Sequence, residues 1–310
     1  MSRVLVTGAA GFLGSHFCER LLAEGHEVVG MDNLVTGRTR NLESVFYEDA
    51  FTFHEQDVSE YIHVTGDLDH VVHLASLASP VAYDENPIKT LKVGALGTHK
   101  TLGLAKATDA TYTFASTSEV YGDPEVNPQP EEYRGNVDCF GPRACYDESK
   151  RYGESLVRAY RDKHDMDVRV ARIFNTYGPR MALDDGRVIP TFIRQALEGE
   201  YLTVYGDGSQ TRSFCYVSDL INGFVRLLDS ELQSPVNLGN PDERSIAELA
   251  ELIIGAMDSE SDIRNEPLPP QDPKVRKPDI SKAKRELDWQ PEISLEEGLE
   301  RSIEYFSREI

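Results

Sequence analysis

Tyr146 and Lys150 stand four residues apart, in Tyr146-Asp147-Glu148-Ser149-Lys150. On a helix that spacing puts a phenol and an ammonium on one face, one turn apart. A free phenol has a pKa of about 10 and is a poor base at neutral pH. A neighbouring cation stabilises the phenolate and lowers that value. The pair can then take a proton from a hydroxyl while the carbon beneath it gives up hydride. Tyr-x-x-x-Lys also arises by chance on helices, so its meaning depends on what surrounds it.

Ser116-Thr117-Ser118-Glu119-Val120-Tyr121-Gly122 follows an apolar run, Tyr112 to Ala115, that reads as a strand. Hydroxyls at the carboxyl end of a parallel strand face the cleft beyond the sheet. Thr117 is placed to hydrogen-bond the reacting hydroxyl. Such residues also cap or turn the chain, a role that suits Ser116 better than Thr117.

Hydride needs an acceptor, and residues 7–14 offer a place for one. Thr7-Gly8-Ala9-Ala10-Gly11-Phe12-Leu13-Gly14 follows the strand-like Val4 to Val6 and opens a helical pattern. Glycines let backbone amides approach a pyrophosphate, and a helix N-terminus adds partial positive charge. Asp32 lies 18 residues beyond Gly14, at the end of a second strand-like run. A carboxylate there accepts both ribose hydroxyls of an adenosine and repels a 2′-phosphate, so NAD is expected over NADP. Arg38 and Arg40 are the nearby cations that would argue the other way.

Those residues need a scaffold. Val4 to Val6, Glu27 to Met31, Val71 to Leu74, Tyr112 to Ala115 and Val168 to Ile173 read as strands. Helical stretches such as Ser15 to Glu24 and Lys89 to Ala107 lie between them. The alternation predicts βαβ units in an α/β fold: a doubly wound parallel Rossmann-type sheet with a smaller C-terminal α/β lobe. Ser218 to Leu228, Ile246 to Met257 and Leu295 to Phe306 read as later helices, and Pro235 to Leu238 as a short strand. Leu268 to Pro278 carries four prolines and is expected to be extended or looped. The expected division is a dinucleotide-binding domain over 1–173, joined again by 213–238, and a substrate lobe over 174–212 and 239–310.

The chain of 310 residues carries 32 basic and 53 acidic side chains, a net charge of −21. That charge repels nucleic acid and anionic membranes, so neither is an expected partner. An anionic substrate must be held by local arginines against the overall field. No apolar run approaches the roughly 18 residues that would read as a membrane span. A strand-like run starts at Val4 with no basic stretch before it, so no signal peptide is expected and the expected location is cytoplasmic. Cys18, Cys139, Cys145 and Cys215 lack metal-ligand spacing, so no metal is expected.

The Gly8, Gly11 and Gly14 spacing resembles that of the short-chain dehydrogenase/reductase superfamily in its extended form. Ser116 to Pro124, Gly141 to Arg151, Val170 to Gly178, Pro235 to Pro241 and Arg276 to Ile280 resemble UDP-glucuronate decarboxylases (UDP-xylose synthases). That similarity is collinear from Arg3 to Phe306. It implies that UDP-glucuronate is oxidised at C4, loses its C5 carboxylate as CO₂ and is reduced again to UDP-xylose, with NAD recycled in the site. It implies redox roles for Tyr146 and Lys150 with Thr117, and places Ser118, Glu119 and Arg276 near C5 and its carboxylate. Cofactor contacts are implied for Gly8, Gly11, Phe12, Leu13, Gly14, Asp32, Asn33, Thr36, Gly37, Asp57, Val58, Leu74, Ala75, Ser76 and Thr176, besides Tyr146 and Lys150. Substrate contacts are implied for Tyr61, Lys92, Asn175, Arg187, Ile189, Phe192, Tyr205, Gln210, Arg212 and Arg276. The resemblance also implies a homodimer through the Lys89 to Ala107 helix and the one carrying Tyr146. His73 is expected to be structural.

The chain departs from this family at Gly94, where its members usually carry Asn. The competing readings are a UDP-sugar 4-epimerase, a nucleotide-sugar 4,6-dehydratase and a non-catalytic NAD-binding protein. An epimerase has no use for Glu119 beside an arginine such as Arg276. A dehydratase typically has an acid where Ser118 stands. A non-catalytic relative typically loses the Tyr or the Lys.

Overall fold

Successive side chains of a strand point to opposite faces, and here both faces find apolar cover. The computed structural model describes residues 1–267 and 275–309. Six strands, β1 (Arg3–Thr7), β2 (Glu27–Asp32), β3 (Phe51–Glu55), β4 (His70–His73), β5 (Thr111–Thr117) and β6 (Val168–Ile173), join Val236–Leu238 in one seven-stranded sheet. Its order is Val236–Leu238, β6, β5, β4, β1, β2, β3, and every pairing is parallel. The order reverses between β1 and β4, the point at which doubly wound sheets bind ligands. The expected Rossmann-type α/β fold is therefore present.

Val4 and Val6 of β1 join one apolar cluster and Leu5 the other; Val28 and Val29 of β2 part in the same way, as do Val72 and Val71 of β4. Helices Phe12–Ala23 and Val217–Leu228 cover the first face, with Phe17 edge-on to Phe224 at 5.4 Å between ring centroids. Thr98–Thr108 and Ala144–His164 cover the second through Leu102, Ala105 and Val157. Burial on both faces makes such strands unbroken apolar runs, which is why most were visible in the sequence. β3 was not among the strands read from it. As the edge strand, it buries only Phe51 fully, so Phe51 to Glu55 lacks the apolar signature.

Beyond β6 the elements shorten. Helix Val188–Leu197 is followed by strand pairs Leu202–Tyr205 with Ile263–Glu266 and Thr211–Ser213 with Glu243–Ser245. Helix Ile246–Met257 has the expected bounds and opens with a Ser245/Glu248 capping box. Leu295–Phe306 also matches, with Ser294 as its cap. Most of the proline-rich stretch expected over Leu268 to Pro278 lies outside the described residues. Among the described residues, no helix is long and apolar enough to cross a membrane.

One expected helix has a different interior. Lys89 to Ala107 belongs to a helical rod that runs from Pro87 to Thr108, with a π-helical turn at Val93–Gly97. Such turns insert a residue and shift a helix locally. Gly94 lies in that turn, and a Cβ there would overlap the Ser149 Cβ. Either position can carry a side chain in this packing, but not both. Gly94→Asn should therefore destabilise the fold by overpacking, on the order of 1–3 kcal/mol. Adding Ser149→Gly should recover most of that loss, as read by chemical denaturation. A single variant as stable as the parent would refute the contact.

Candidate active site

The cleft lies at the carboxyl edge of the sheet and encloses about 980 Å³. That is the upper end of the range for ligand pockets, roughly 300–1,000 Å³. Its construction starts at β1. The Gly8 and Ala9 amides donate to the Met31 carbonyl at 2.8 and 3.2 Å, and the Gly11 amide donates to the Gly8 carbonyl at 3.1 Å. Gly8 has φ +74°, and a Cβ there would stand 2.8 Å from the Ala75 nitrogen. A Cβ on Gly14 would overlap the Gly8 carbonyl. Only glycine permits this turn. Helix Phe12–Ala23 then begins at Gly11 with no side-chain cap. Its first-turn amides lack side-chain partners, which is the arrangement that attracts an anion.

Asp32 ends β2 and lines the same cleft. It accepts hydrogen bonds from the Ala10 amide at 3.0 Å and the Leu34 amide at 2.9 Å. Burial raises its carboxyl above the ordinary range, opposed by those amides. Asn33, Thr36, Val58, Leu74, Ala75 and Ser76 also line this end. Gly37 does not, but a Cβ on it would come within 2.9 Å of both Asp32 oxygens. Asp57 stands behind, accepting from Asn33 Nδ2 and the Ser59 amide, each at 2.8 Å. A glycine cradle, an uncapped helix and a strand-end acid together fit a dinucleotide.

Tyr146, Lys150 and Thr117 meet where β5 ends. Lys150 Nζ donates to the Ala115 carbonyl at 2.8 Å and lies 5.9 Å from the centre of the Tyr146 ring. Thr117 hydrogen-bonds the Tyr146 hydroxyl. Thr117 Oγ1 also accepts from the Glu119 amide at 3.3 Å, capping the turn Ser118–Tyr121. The capping role expected at Ser116 thus falls on Thr117, because the Ser116 hydroxyl is turned to Glu154 at 2.6 Å. A second correction concerns the phenol. Burial raises the Tyr146 pKa, with Glu119 and Asp147 adding to the rise, and the lowering expected from Lys150 is not seen. Burial also brings Lys150 itself down to about 8. The enclosing protein sets both values, and charge on a bound cofactor must act against it.

Glu119 forms the second centre. Its Oε2 accepts from Arg143 Nη2 at 2.6 Å and Arg276 Nη2 at 3.0 Å. Burial works to raise the carboxyl, but Arg276, Arg143 and Arg212 together hold it below its ordinary value. Arg276 is only 2% exposed and its Nη1 donates to the Ser118 carbonyl at 2.7 Å. It is no surface arginine. Arg143 and Asp147 were not read from the sequence as site residues. Asp147 is buried with Oδ1 unpartnered, and burial together with Glu119 raises it to about 7. Both sit at the start of the helix that carries Tyr146. Arg143 three positions before the tyrosine was the available signal.

At the far end, Asn175, Thr176, Arg187, Ile189, Phe192, Tyr205, Gln210 and Arg212 line the cleft as one wall. Arg187 is held on Asp185, its Nε donating at 2.7 Å, and caps helix Val188–Leu197. Gln210 Nε2 donates to the Tyr205 carbonyl at 2.9 Å. Two expected contacts are not brought here. Tyr61 is 76% exposed and stacks on His63, and Lys92 lies on the outer surface of its helix; neither lines the cleft. His73 is buried against Thr7 Oγ1 at 2.8 Å, and burial lowers its pKa to about 3, as suits a structural residue.

UDP-glucuronic acid decarboxylase 1 of Danio rerio is 54% identical over 308 residues, 99% of this chain and 73% of that one. UDP-glucuronic acid decarboxylase 3 of Arabidopsis thaliana is 49% identical over 298 residues, 96% of this chain and 86% of that one. A UDP-N-acetylglucosamine 4-epimerase from Methanobrevibacter ruminantium superposes with a TM-score of 0.93 at 28% identity, covering 100% of this chain and 99% of that one. The UDP-glucuronic acid 4-epimerase from Bacillus cereus, solved with UDP-glucuronic acid and NAD, gives 0.87 at 28% identity over 99% and 100%. A profile of the NAD dependent epimerase/dehydratase family matches residues 4–239, three-quarters of the chain. The glycine cradle and Asp32 fall within that match, and NAD is the cofactor they serve: the chain belongs to the NAD-dependent epimerase/dehydratase family.

Proposed function

We propose that this chain converts UDP-glucuronate to UDP-xylose and CO₂. The observation that carries the reading is the buried Glu119–Arg276 pair beside Ser118, next to Tyr146 and Thr117. NAD, held by the Gly8 to Gly14 turn and Asp32, would supply the hydride acceptor for C4 and, once reduced, the donor that restores it. Tyr146, as phenolate, takes the C4 hydroxyl proton, and Thr117 shares the hydrogen bond. Lys150 holds positive charge beneath that phenolate. Oxidation leaves a ketone β to the C5 carboxylate. The C5–carboxylate bond then breaks, CO₂ departs, and the electron pair moves to the C4 oxygen as an enolate. A tight ion pair to the carboxylate would stabilise the ground state and slow this step. Glu119 opposes that by like charge, and Arg276 favours the developing oxyanion. C5 takes a proton from water on the Glu119–Arg276 side, and Tyr146 returns its proton to the C4 oxygen as that carbon is reduced again.

The nucleotide end suits a diphosphate, since Arg187 and Arg212 both line it and guanidinium groups recognise phosphate oxygens. An epimerase that shares this fold needs no Glu–Arg pair at C5, and Ser118 lacks the acid of a 4,6-dehydratase. Ile88, Leu91 and Leu96 on the Pro87 to Thr108 rod, and Tyr152 on the neighbouring helix, are exposed and support a homodimer. Four unpaired cysteines suit the reducing cytoplasm.

Incubation with UDP-glucuronate and NAD⁺ should release CO₂ and form UDP-xylose. UDP-galacturonate without CO₂ would identify an epimerase instead, and no turnover at all would leave only a binding protein. Light scattering on the same sample should give twice the 34.7 kDa chain mass; a monomer would remove the dimer.

A further inference from the structure

Arg276 reaches the site from a segment with no helix or sheet of its own. Something else must set where its guanidinium stands. The Ser213 hydroxyl donates to its carbonyl at 3.0 Å. On its C-terminal side the segment makes three of its bonds to Gln129, besides the Lys277–Glu243 ion pair at 3.1 Å. The Gln129 amide donates to the Lys277 carbonyl at 2.8 Å, and the Asp279 amide donates to the Gln129 carbonyl at 3.0 Å. The Lys277 amide donates to Gln129 Oε1 at 2.9 Å. Gln129 Nε2 donates to the Val126 carbonyl at 2.7 Å. The side chain is fully buried, and every polar group it has is engaged.

This clamp is tied to the central sheet. Asn237, in the edge strand Val236–Leu238, is also fully buried. Its Nδ2 donates to the Gln129 carbonyl at 2.9 Å and the Asp279 carbonyl at 3.0 Å. Its Oδ1 accepts from Tyr121 Oη at 2.8 Å. Tyr121 closes the turn that carries Ser118 and Glu119. Both partners of the Arg276 guanidinium and the backbone that delivers it are therefore referred to one strand edge.

We propose that Gln129, anchored on Asn237, is the positioning residue for Arg276: its buried amide docks the 275–279 segment so that the guanidinium stands between the Ser118 carbonyl and the Glu119 carboxylate. Loss of the amide leaves the half-buried Lys277 N–H without its partner and lets the segment shift one residue from Arg276. A donor moved by about 1 Å loses much of its effect on a transition state. The consequence belongs to the decarboxylation step and not to oxidation at C4, which uses Tyr146 and Lys150. The inference rests on the proposed role of Arg276.

Single-turnover measurements separate the two steps, with reduced-cofactor absorbance reporting oxidation and CO₂ release reporting decarboxylation. Gln129→Ala should slow CO₂ release about ten-fold or more, in line with a misplaced catalytic donor, and leave oxidation within about two-fold. In an Arg276→Ala background, Gln129→Ala should cost almost nothing further, because both changes act through one group. If Gln129→Ala does not fold, Gln129→Asn keeps the amide but shortens its reach and should give the same split. Equal loss in both steps, or full additivity with Arg276→Ala, would overturn the positioning role. A parent enzyme inactive on UDP-glucuronate would overturn the proposed function first and this inference with it. A parent active on UDP-glucuronate whose Gln129 variants keep normal CO₂ release would overturn the inference alone.

Discussion

Tyr146→Phe should abolish hydride transfer while leaving the cofactor and nucleotide bound, with turnover reduced about 10²–10⁴-fold. Phenylalanine keeps the ring, and with it the stack on Tyr83, whose centroid lies 5.4 Å away. The change removes only the hydroxyl that Thr117 bonds. Lys150 keeps its bond to the Ala115 carbonyl, so the pocket should hold its shape. Asp147, raised to about 7, is the other described group beside the tyrosine that could take a proton, but it does not line the cleft. Thr117 is an alcohol and no base at neutral pH, and Glu119 is committed to two guanidiniums. The measurement is single-turnover formation of reduced cofactor from UDP-glucuronate, together with cofactor content and UDP affinity. Normal turnover would show that another base acts. A loss of bound cofactor to match the loss of rate would show that the phenol only shapes the pocket.

Arg276→Ala should reduce CO₂ release about 10²–10³-fold, the scale for removing one donor to a developing oxyanion. Affinity for UDP should change far less, because Arg187 and Arg212 remain at the nucleotide end. Reduced cofactor should still form, and should now persist, since the step that follows oxidation has been slowed. The fold will also suffer. Arg276 is buried against Glu119, and removing one partner of a buried pair costs about 3–5 kcal/mol. Arg143 still holds Glu119 at 2.6 Å, which should keep the loss toward the lower end. A pure loss of substrate affinity, with normal CO₂ release at saturation, would contradict the assigned role.

The two residues differ in how they could be read. Tyr146 and Lys150 announce themselves by spacing, because a helix converts four residues into one face. Arg276 announces nothing: by composition it is an arginine in a proline-rich stretch, and only the family resemblance marked it out. It meets Glu119 across 157 residues of chain. Arg143 and Asp147 were missed although they adjoin Tyr146, because an arginine three residues before the tyrosine does not show by itself which way the helix start turns. Tyr61 and Lys92 were named from resemblance, and the fold sets both outside the cleft wall.

Local rules carried the sequence reading as far as the apolar runs, the glycine turn and its acid, and the Tyr–Lys pair. Each depends on neighbours within a few residues or on one strand's two faces. The rest was decided by closure of the chain: the Glu119 cluster, the Gln129 clamp, the exclusion of Gly94 and Ser149 side chains from one space, and the upward shift of the phenol. These follow from burial and from contacts between distant segments, which short-range periodicity does not encode.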